Sequence, residues 1–243
     1  MKLYLFDGSC AALTTRLELE YKRLDYEAVY LPPVLHGFIL GVRGFPRPSV
    51  PSLEVDGRKV SGTLQISRVL DELQPDPPLF PPDDRRAAVE EAERWGEELQ
   101  DAARRILYCA ARRKPSVWRE LMARNQPGAV RALLRVTAPL LVQFAARFHG
   151  GRDDRCRRDL DELPARLDRI DAWLREGVLG RDAPNAADFQ IATNIRFLLA
   201  VDDVAPLVEG RPAAEHARRL VPDFGVRFPP NLLQRSGSRQ WYS

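Results

Sequence analysis

The first 74 residues alternate between short apolar runs and one longer amphipathic segment. Residues 3–6 (LYLF) predict a short buried strand that ends at the turn signal Asp7-Gly8. Apolar positions recur at helical spacing over residues 11–23, and residues 26–31 predict a second strand. A strand, a helix and a strand in this order predict a right-handed crossover, which makes the two strands parallel.

A proline-rich loop and a hairpin are predicted within residues 44–61. The Asp-Gly pair at 56–57 lies between two apolar runs and is a strong hairpin signal, so strands are expected at about 52–55 and 59–61. Because Pro51 has no N–H to donate, the strand that follows it is predicted to lie at an edge of the sheet. A Val-Pro corner that leads into a hairpin is able to present its backbone to a peptide-like ligand.

The segments on either side of this hairpin complete the first domain. Residues 32–48 are expected to be a loop with a helical turn at about 35–40. Thr63 is predicted to cap a helix that continues to Leu73, because its hydroxyl is able to accept a free backbone N–H. The order β-α-β, loop, β-β-α is that of a thioredoxin-like domain.

The pattern changes after residue 74. Residues 75–83 are rich in proline and predict a semi-rigid linker, and residues 84–222 then show helical periodicity throughout. An Asn at 185 with an acid at 188 resembles a capping box. The remaining 223–243 are predicted to be a loosely held tail. Helices are expected at about 88–110, 116–124, 128–148, 156–176, 185–199 and 212–220.

Composition limits the classes of function. The chain has 243 residues, 44% of them apolar and 29% charged, which indicates a soluble globular protein. A net charge of +3 gives no support for a nucleic-acid partner. The three cysteines show no metal-ligand or C-x-x-C spacing, so we expect free thiols and no metal. With no signal peptide and no apolar run near the roughly 20 residues of a membrane span, we expect a cytoplasmic protein without a membrane partner.

A thioredoxin-like domain, a proline-rich linker and an all-helical domain with a capping box resemble the cytosolic glutathione transferases, over about residues 1–220. The pattern also resembles bacterial, in particular actinobacterial, homologues. The implied fold class is an α/β thioredoxin-like N-terminal domain plus an all-α C-terminal helical bundle. The resemblance implies a homodimeric enzyme that conjugates glutathione, or another small thiol such as mycothiol, to a hydrophobic electrophile.

Two neighbouring residues are candidates for catalysis under this resemblance. Ser9 lies where the family has its catalytic residue, and its hydroxyl would stabilise the thiolate at a helix N-terminus; alternatively it is only a helix cap. Cys10 offers a different chemistry, thiol transfer or reduction, if the helix N-terminus lowers its pKa. The alternative for Cys10 is a small buried residue.

The other implied site residues bind the two substrates. Val50-Pro51 matches the family's Val-(cis)Pro, whose backbone pairs with the cysteinyl part of glutathione. Thr63 takes the place of the serine that binds the γ-glutamyl carboxylate, while Gly62 replaces the usual acid. His36 lies in the flanking loop, either as a ligand contact or as a solvated residue.

The acceptor pocket is expected between the domains, on one side of the first long helix. Its predicted residues are Arg105, Tyr108 and Cys109. The missing acid at Gly62 also leaves open a non-catalytic binding module that keeps the transferase fold.

Overall fold

The N-terminal domain follows the predicted order of elements. The computed structural model describes residues 1–33 and 35–233. The first domain contains β1 (Lys2–Leu5), α1 (Cys10–Tyr21), β2 (Glu27–Tyr30), α2 (His36–Val42), β3 (Ser52–Val55), β4 (Arg58–Ser61) and α3 (Thr63–Leu73). The predicted turn at 35–40 is therefore a seven-residue helix.

The sheet has the order β2-β1-β3-β4. β1 and β2 are parallel, as the crossover predicts, and β3 is antiparallel to both β1 and β4. The prediction that β3 lies at an edge is therefore wrong, since β4 is the edge strand. Pro51 is compatible with an internal strand because it precedes Ser52, the first residue of β3.

The register of the sheet brings three connecting segments to the same end. Tyr4 pairs with Ser52, and Ser52 pairs with Ser61. The residues after β1, before β3 and after β4 therefore lie side by side. The backbone N–H of Gly62 donates to the carbonyl of Pro51 at 3.0 Å, which holds two of these segments together.

The C-terminal domain is helical. It contains α4 (Arg86–Arg113), α5 (Pro115–Ala123), α6 (Gly128–Phe148), α7 (Asp153–Glu176), α8 (Ala186–Leu199), α9 (Ala205–Val208) and α10 (Pro212–Leu220). The pattern did not predict α9, because a single turn is too short to show periodicity. Almost every residue of α8 is buried, and it packs against α1, α4 and α10. This helix is the centre of the core.

The predicted capping box at the start of α8 is confirmed. The side-chain oxygen of Asn185 accepts from the Asp188 N–H at 3.1 Å, and the Asp188 carboxylate accepts from the Asn185 N–H at 2.9 Å. That carboxylate also accepts from the Gly180 N–H at 2.8 Å and lies 2.9 Å from the His216 ring. One buried acid thus joins α8 to the preceding loop and to α10.

Two further sequence expectations are wrong for parts of the chain. Residues 223–233 are not loosely held: Phe228 is buried, and its N–H donates to the Ala200 carbonyl at 2.8 Å. The rest of the predicted tail, 234–243, lies outside the described residues. An apolar run of sufficient length for a membrane span does exist, because α6 meets that test by length and composition alone, although only 22% of the 18-residue window is buried.

Candidate functional site

The Val50-Pro51 corner lies at the end of the sheet with its backbone available. The peptide bond between these two residues is cis, as expected for this position. Among the residues that the structure describes, the N–H and carbonyl of Val50 have no hydrogen-bond partner. Pro51 itself is buried and its carbonyl is occupied by the Gly62 N–H. The corner therefore offers one donor and one acceptor of Val50 to a ligand.

The N-terminus of α3 adjoins this corner, with a different cap from the predicted one. Gly62, not Thr63, is the N-cap, and it supplies no side-chain hydrogen bond. Thr63 is the first helical residue and is 3% exposed, and its hydroxyl has no partner within the described chain. The first N–H groups of a helix lack intrahelical acceptors, so this end is suited to a carboxylate.

Gly62 has a conformational reason to be glycine. Its φ of +89° lies in the region that residues with a side chain rarely adopt. A Cβ at this position would also lie 3.0 Å from the Gln65 Oε1. The acid expected here would have to adopt this strained backbone, so its absence is built into the local geometry.

Ser9 is the N-cap of α1, as one of its two predicted roles requires. Its Oγ accepts from the Ala12 N–H at 3.2 Å, which leaves its own hydroxyl hydrogen free to donate. Ser9 lines a cavity of about 150 Å³ together with Phe6, Leu121 and Phe224. Val50, Pro51 and Thr63 do not line that cavity, although they lie at the same end of the sheet.

Cys10 does not have the lowered pKa that a reactive thiol needs. It is 8% exposed, and burial raises its pKa to about 12, while the nearby charge of Arg104 offsets this only in part. Burial disfavours the thiolate more than the helix N-terminus favours it. The condition for thiol transfer at Cys10, a lowered pKa, is therefore not met, whereas its burial agrees with the alternative of a small buried residue.

Helix α5 packs directly onto the turn before Ser9. Gly8 has φ +82°, and a Cβ there would lie 2.0 Å from the Met122 Cε. The Asp7 carboxylate accepts from the backbone and side-chain N–H groups of Asn125 at 3.2 and 3.1 Å. This contact joins segments more than a hundred residues apart, so no local pattern could have predicted it.

Two of the three residues predicted for the acceptor pocket face elsewhere. Arg105 forms a bidentate pair with Asp159 of α7, both contacts at 2.7 Å. Cys109 is fully buried, and its pKa is lowered by a hydrogen bond with the thiol of Cys156, also on α7. Both residues therefore belong to the α4–α7 contact.

Tyr108 lies beside His149, which sequence reasoning missed, and one helical turn from Arg104. Its ring stacks on His149 at 5.2 Å between centroids, with only 5° between the planes. Burial raises the pKa of Tyr108 and, together with the charge of Arg104, lowers the pKa of His149 to about 4. Arg104 precedes Tyr108 by four residues on the same helical face, which was the available signal.

His36 lies close enough to His149 for its charge to lower the pKa of that ring. It is the first residue of α2, and its ring lies 5.1 Å from that of Phe6. Its Nδ1 is 2.5 Å from the Pro33 carbonyl, and burial lowers its pKa. The ring is therefore neutral at neutral pH and is not a cation for binding a carboxylate.

A cationic cavity of about 420 Å³ borders the N-terminus of α3. Its lining includes Ser61 and Gln65, which flank Gly62 and Thr63 in sequence. Among the described residues, no acidic side chain lines it. Its charged lining consists of Arg47, Arg58, Lys59 and Arg68. This field favours the negatively charged end of a ligand at Thr63.

Comparisons with known proteins agree with this architecture. Residues 3–78 match the family model described as glutathione S-transferase, N-terminal domain. A segment of 91 residues is 31% identical to maleylacetoacetate isomerase of Mus musculus; it covers 36% of this chain and 42% of that protein, less than half of the curated relative.

Solved structures show the same fold at lower identity. A glutathione S-transferase from Rhodospirillum rubrum is 22% identical over 95% of this chain and 97% of its own, with a TM-score of 0.59. A glutathione S-transferase of Ceriporiopsis subvermispora, solved in complex with glutathione, is 17% identical over 82% of this chain and 84% of its own, with a TM-score of 0.55. The predicted fold class is confirmed.

Proposed function

Because residues 3–78 belong to the glutathione S-transferase N-terminal domain family, we propose that the chain binds a thiol peptide of the glutathione type at Val50, Pro51 and Thr63. The bound thiolate attacks the electrophilic carbon of a hydrophobic acceptor, and the new carbon–sulfur bond displaces a leaving group or opens a double bond. Glutathione is the first candidate thiol and mycothiol the second.

One observation carries this proposal. The hydrogen bond from Gly62 to Pro51 holds the Val50 corner beside the N-terminus of α3. Val50 then has a backbone donor and acceptor for the cysteinyl part of the ligand, and Thr63 has an unpaired hydroxyl for a carboxylate. Both groups lack partners among the described residues, so they are available to a ligand.

Ser9 is proposed to stabilise the thiolate. A free thiol has a pKa of about 8.5, so it is mostly protonated at neutral pH. The Ser9 hydroxyl retains a hydrogen to donate, and it lies at the positive end of α1. A charge-assisted hydrogen bond here lowers the pKa of the bound thiol.

The acceptor is proposed to bind on the opposite side of the cleft, against Tyr108 and His149. The stacked rings offer an apolar surface to an aromatic or otherwise flat electrophile. Because burial raises the pKa of Tyr108, its phenol stays protonated and is able to donate a hydrogen bond to a developing anion. The charge of Arg104 lowers the pKa of Tyr108 and so offsets the effect of burial only in part.

Calorimetry and turnover together test this function. Titration of the full chain with glutathione and with mycothiol should show binding of one of them, and an aryl halide should then be conjugated. Ser9→Ala should keep thiol affinity while raising the pKa of the bound thiol, read from thiolate absorbance against pH. Ser116→Ala, on the exposed surface of α5, is the matched control. Unchanged thiol pKa in Ser9→Ala would remove Ser9 from the mechanism.

A non-catalytic binding module is the second candidate. The specific observation in its favour is the packing of Met122 and Leu121 onto Gly8, which narrows access to Ser9. Thiol binding without conjugation of any of several electrophiles would favour it. The Cys10 reaction has less support, since a thiol with a pKa of about 12 is a poor nucleophile at neutral pH.

A further inference from the structure

Residues of α6 that are four positions apart form a row along the helix surface. The rows differ in the chemical character of their side chains. One row is buried against the neighbouring helices α4 and α5. It consists of Leu134, Ala138, Val142 and Ala146. These are small or medium apolar side chains, and together with the partly buried Val130 and Leu141 they attach α6 to the fold.

The opposite row is apolar and exposed. Val136 is 81% exposed, Leu140 75%, Phe144 66% and Phe148 76%. Leu133, beside this row, is 62% exposed. Soluble proteins rarely expose a continuous strip of large apolar side chains, and such strips mark interaction surfaces.

A third row, next to the exposed apolar one, is basic. Arg131, Arg135 and Arg147 lie on it, and all are exposed. None of them forms an ion pair with any residue that the structure describes, although most other arginines of the helical domain do. Residues 121–152 contain five arginines and no acidic residue, in a chain with 34 acidic residues.

We propose that α6 docks in the plane of an anionic membrane surface. The exposed apolar row would enter the boundary between headgroups and acyl chains, and the three arginines would bind headgroup phosphates. An apolar face flanked by arginine is the composition of helices that lie at such an interface. This proposal revises the expectation that the protein has no membrane partner.

The alternatives fit the charges less well. A spanning helix would place the buried row and the arginines in hydrocarbon, whereas that row is already packed against α4 and α5. A second copy paired through α6 would place against each other two helices that contain arginines and no acid. An anionic lipid surface satisfies both the apolar row and the unpaired guanidinium groups.

Docking would also place the proposed acceptor site close to the membrane surface. His149 is the C-cap of α6 and stacks on Tyr108, so the docked end of the helix adjoins the proposed acceptor site. A hydrophobic electrophile dissolved in the bilayer would then have a short path to that site. The docking itself does not depend on the proposed reaction, because it rests on α6 alone.

Vesicle flotation of the full chain tests the docking. The protein should float with vesicles of phosphatidylcholine mixed with phosphatidylglycerol, and much less with phosphatidylcholine alone. High salt should weaken the binding, because headgroup attraction is screened. Thiol affinity measured by calorimetry reports separately on the proposed function.

Two sets of variants separate the apolar and the basic contributions. Leu140→Asp/Phe144→Asp should abolish flotation, with Leu140→Gln/Phe144→Gln as the milder pair if the first fails to fold. Arg131→Gln/Arg135→Gln/Arg147→Gln should lower binding by roughly a hundredfold, since each arginine near an anionic surface contributes about fivefold. Arg94→Gln/Arg175→Gln/Arg181→Gln removes the same charge from exposed positions outside α6 and should change little.

Three outcomes would overturn the proposal. The wild-type chain fails to float with either kind of vesicle; or the α6 arginine variant and its control lose binding equally; or Leu140→Asp/Phe144→Asp instead converts a dimer to a monomer in sedimentation velocity. The last result would assign the apolar row to a second copy of the chain.

Discussion

The N-termini of α8 and α3 satisfy their backbone donors in opposite ways. At α8, Asn185 and Asp188 use their side chains to bond each other's N–H, and Asp188 also holds Gly180. At α3, the cap is Gly62, which has no side chain to contribute, and the Thr63 hydroxyl beside it is unpaired. The side chains of Asn185 and Asp188 are paired within the chain, whereas the Thr63 hydroxyl has no partner among the described residues and is available to a ligand.

The N-terminus of α1 lies between these two cases. Ser9 caps the helix by accepting one N–H, yet its hydroxyl still has a hydrogen to donate. The same side chain is therefore able to serve stability and a ligand. A cap that pairs the free N–H groups of a helix N-terminus is therefore a structural feature. A helix N-terminus that leaves polar groups unpaired is a candidate binding site.

The largest effect is expected at the N-terminus of α8, where the capping side chains are paired. Asp188→Ala leaves the N–H groups of Gly180 and Asn185 without their acceptor, and should lower the free energy of unfolding by about 3–5 kcal/mol. Urea unfolding measures this loss. Asp182→Ala, an exposed acid in the same loop, should change it by less than about 0.5 kcal/mol. Equal losses in both variants would contradict the structural role of Asp188.

At the N-terminus of α3, a substitution should change the affinity for the thiol instead of the stability of the fold. Thr63→Val keeps the shape of the side chain but removes the hydroxyl, and should weaken thiol binding by about 1.5–3 kcal/mol, roughly ten- to a hundredfold, because a hydrogen bond to a charged group is lost. The free energy of unfolding should stay within about 0.5 kcal/mol. Thr63→Ser should restore the affinity measured by calorimetry. A stability loss without an affinity loss would make Thr63 a structural residue like Asp188.

Gly62→Ala tests whether the backbone conformation at the N-terminus of α3 disfavours a residue with a side chain. A Cβ at φ +89° is strained and meets Gln65, so the free energy of unfolding should fall by about 1–2 kcal/mol. Gly128→Ala has an ordinary φ and open space around the added atom, and should be neutral or slightly stabilising. If Gly62→Ala were also neutral, the terminus would have another reason to lack an acid.

The smallest effect concerns His149 at the C-terminal end of α6. Because the folded-state pKa is lowered from 6.5 to about 4, the neutral ring is favoured by folding. Its contribution is fully present above pH 6.5 and is lost as the pH falls toward 4. The partly exposed ring limits the loss to about 1 kcal/mol.

The pH dependence is measured by urea unfolding at several pH values. His149→Phe keeps an aromatic ring against Tyr108 but has no proton to bind. Its curve should be flatter than that of the wild type between pH 6.5 and 4. Parallel curves for the two proteins would contradict the lowered pKa.

The sequence allowed most elements to be predicted, because amphipathic helices leave a clear period. Helix α6 was predicted at 128–148 and is observed with the same limits. The helical spacing of apolar residues does not show whether another element packs against a given face of the helix. The apolar residues of α6 look like core positions in the sequence, but the structure exposes one row of them.

Site residues were harder to predict for two physical reasons. On α4, which is packed on several sides, each residue turns the side chain by about 100°, so Arg105 and Cys109 face α7 while Tyr108 stacks on His149. At Cys10, the helix N-terminus and burial act in opposite directions on the pKa. The sequence reveals the helix start but not the depth of burial that decides the outcome.

We propose that a thiol peptide binds where the Val50 corner meets the N-terminus of α3. Amide resonances of the isotope-labelled chain, followed during titration with glutathione and then with mycothiol, test this location directly. One of the two thiols should shift the Val50, Gly62 and Thr63 amides more than those at the start of α8. Shifts centred elsewhere, or none with either thiol, would contradict it.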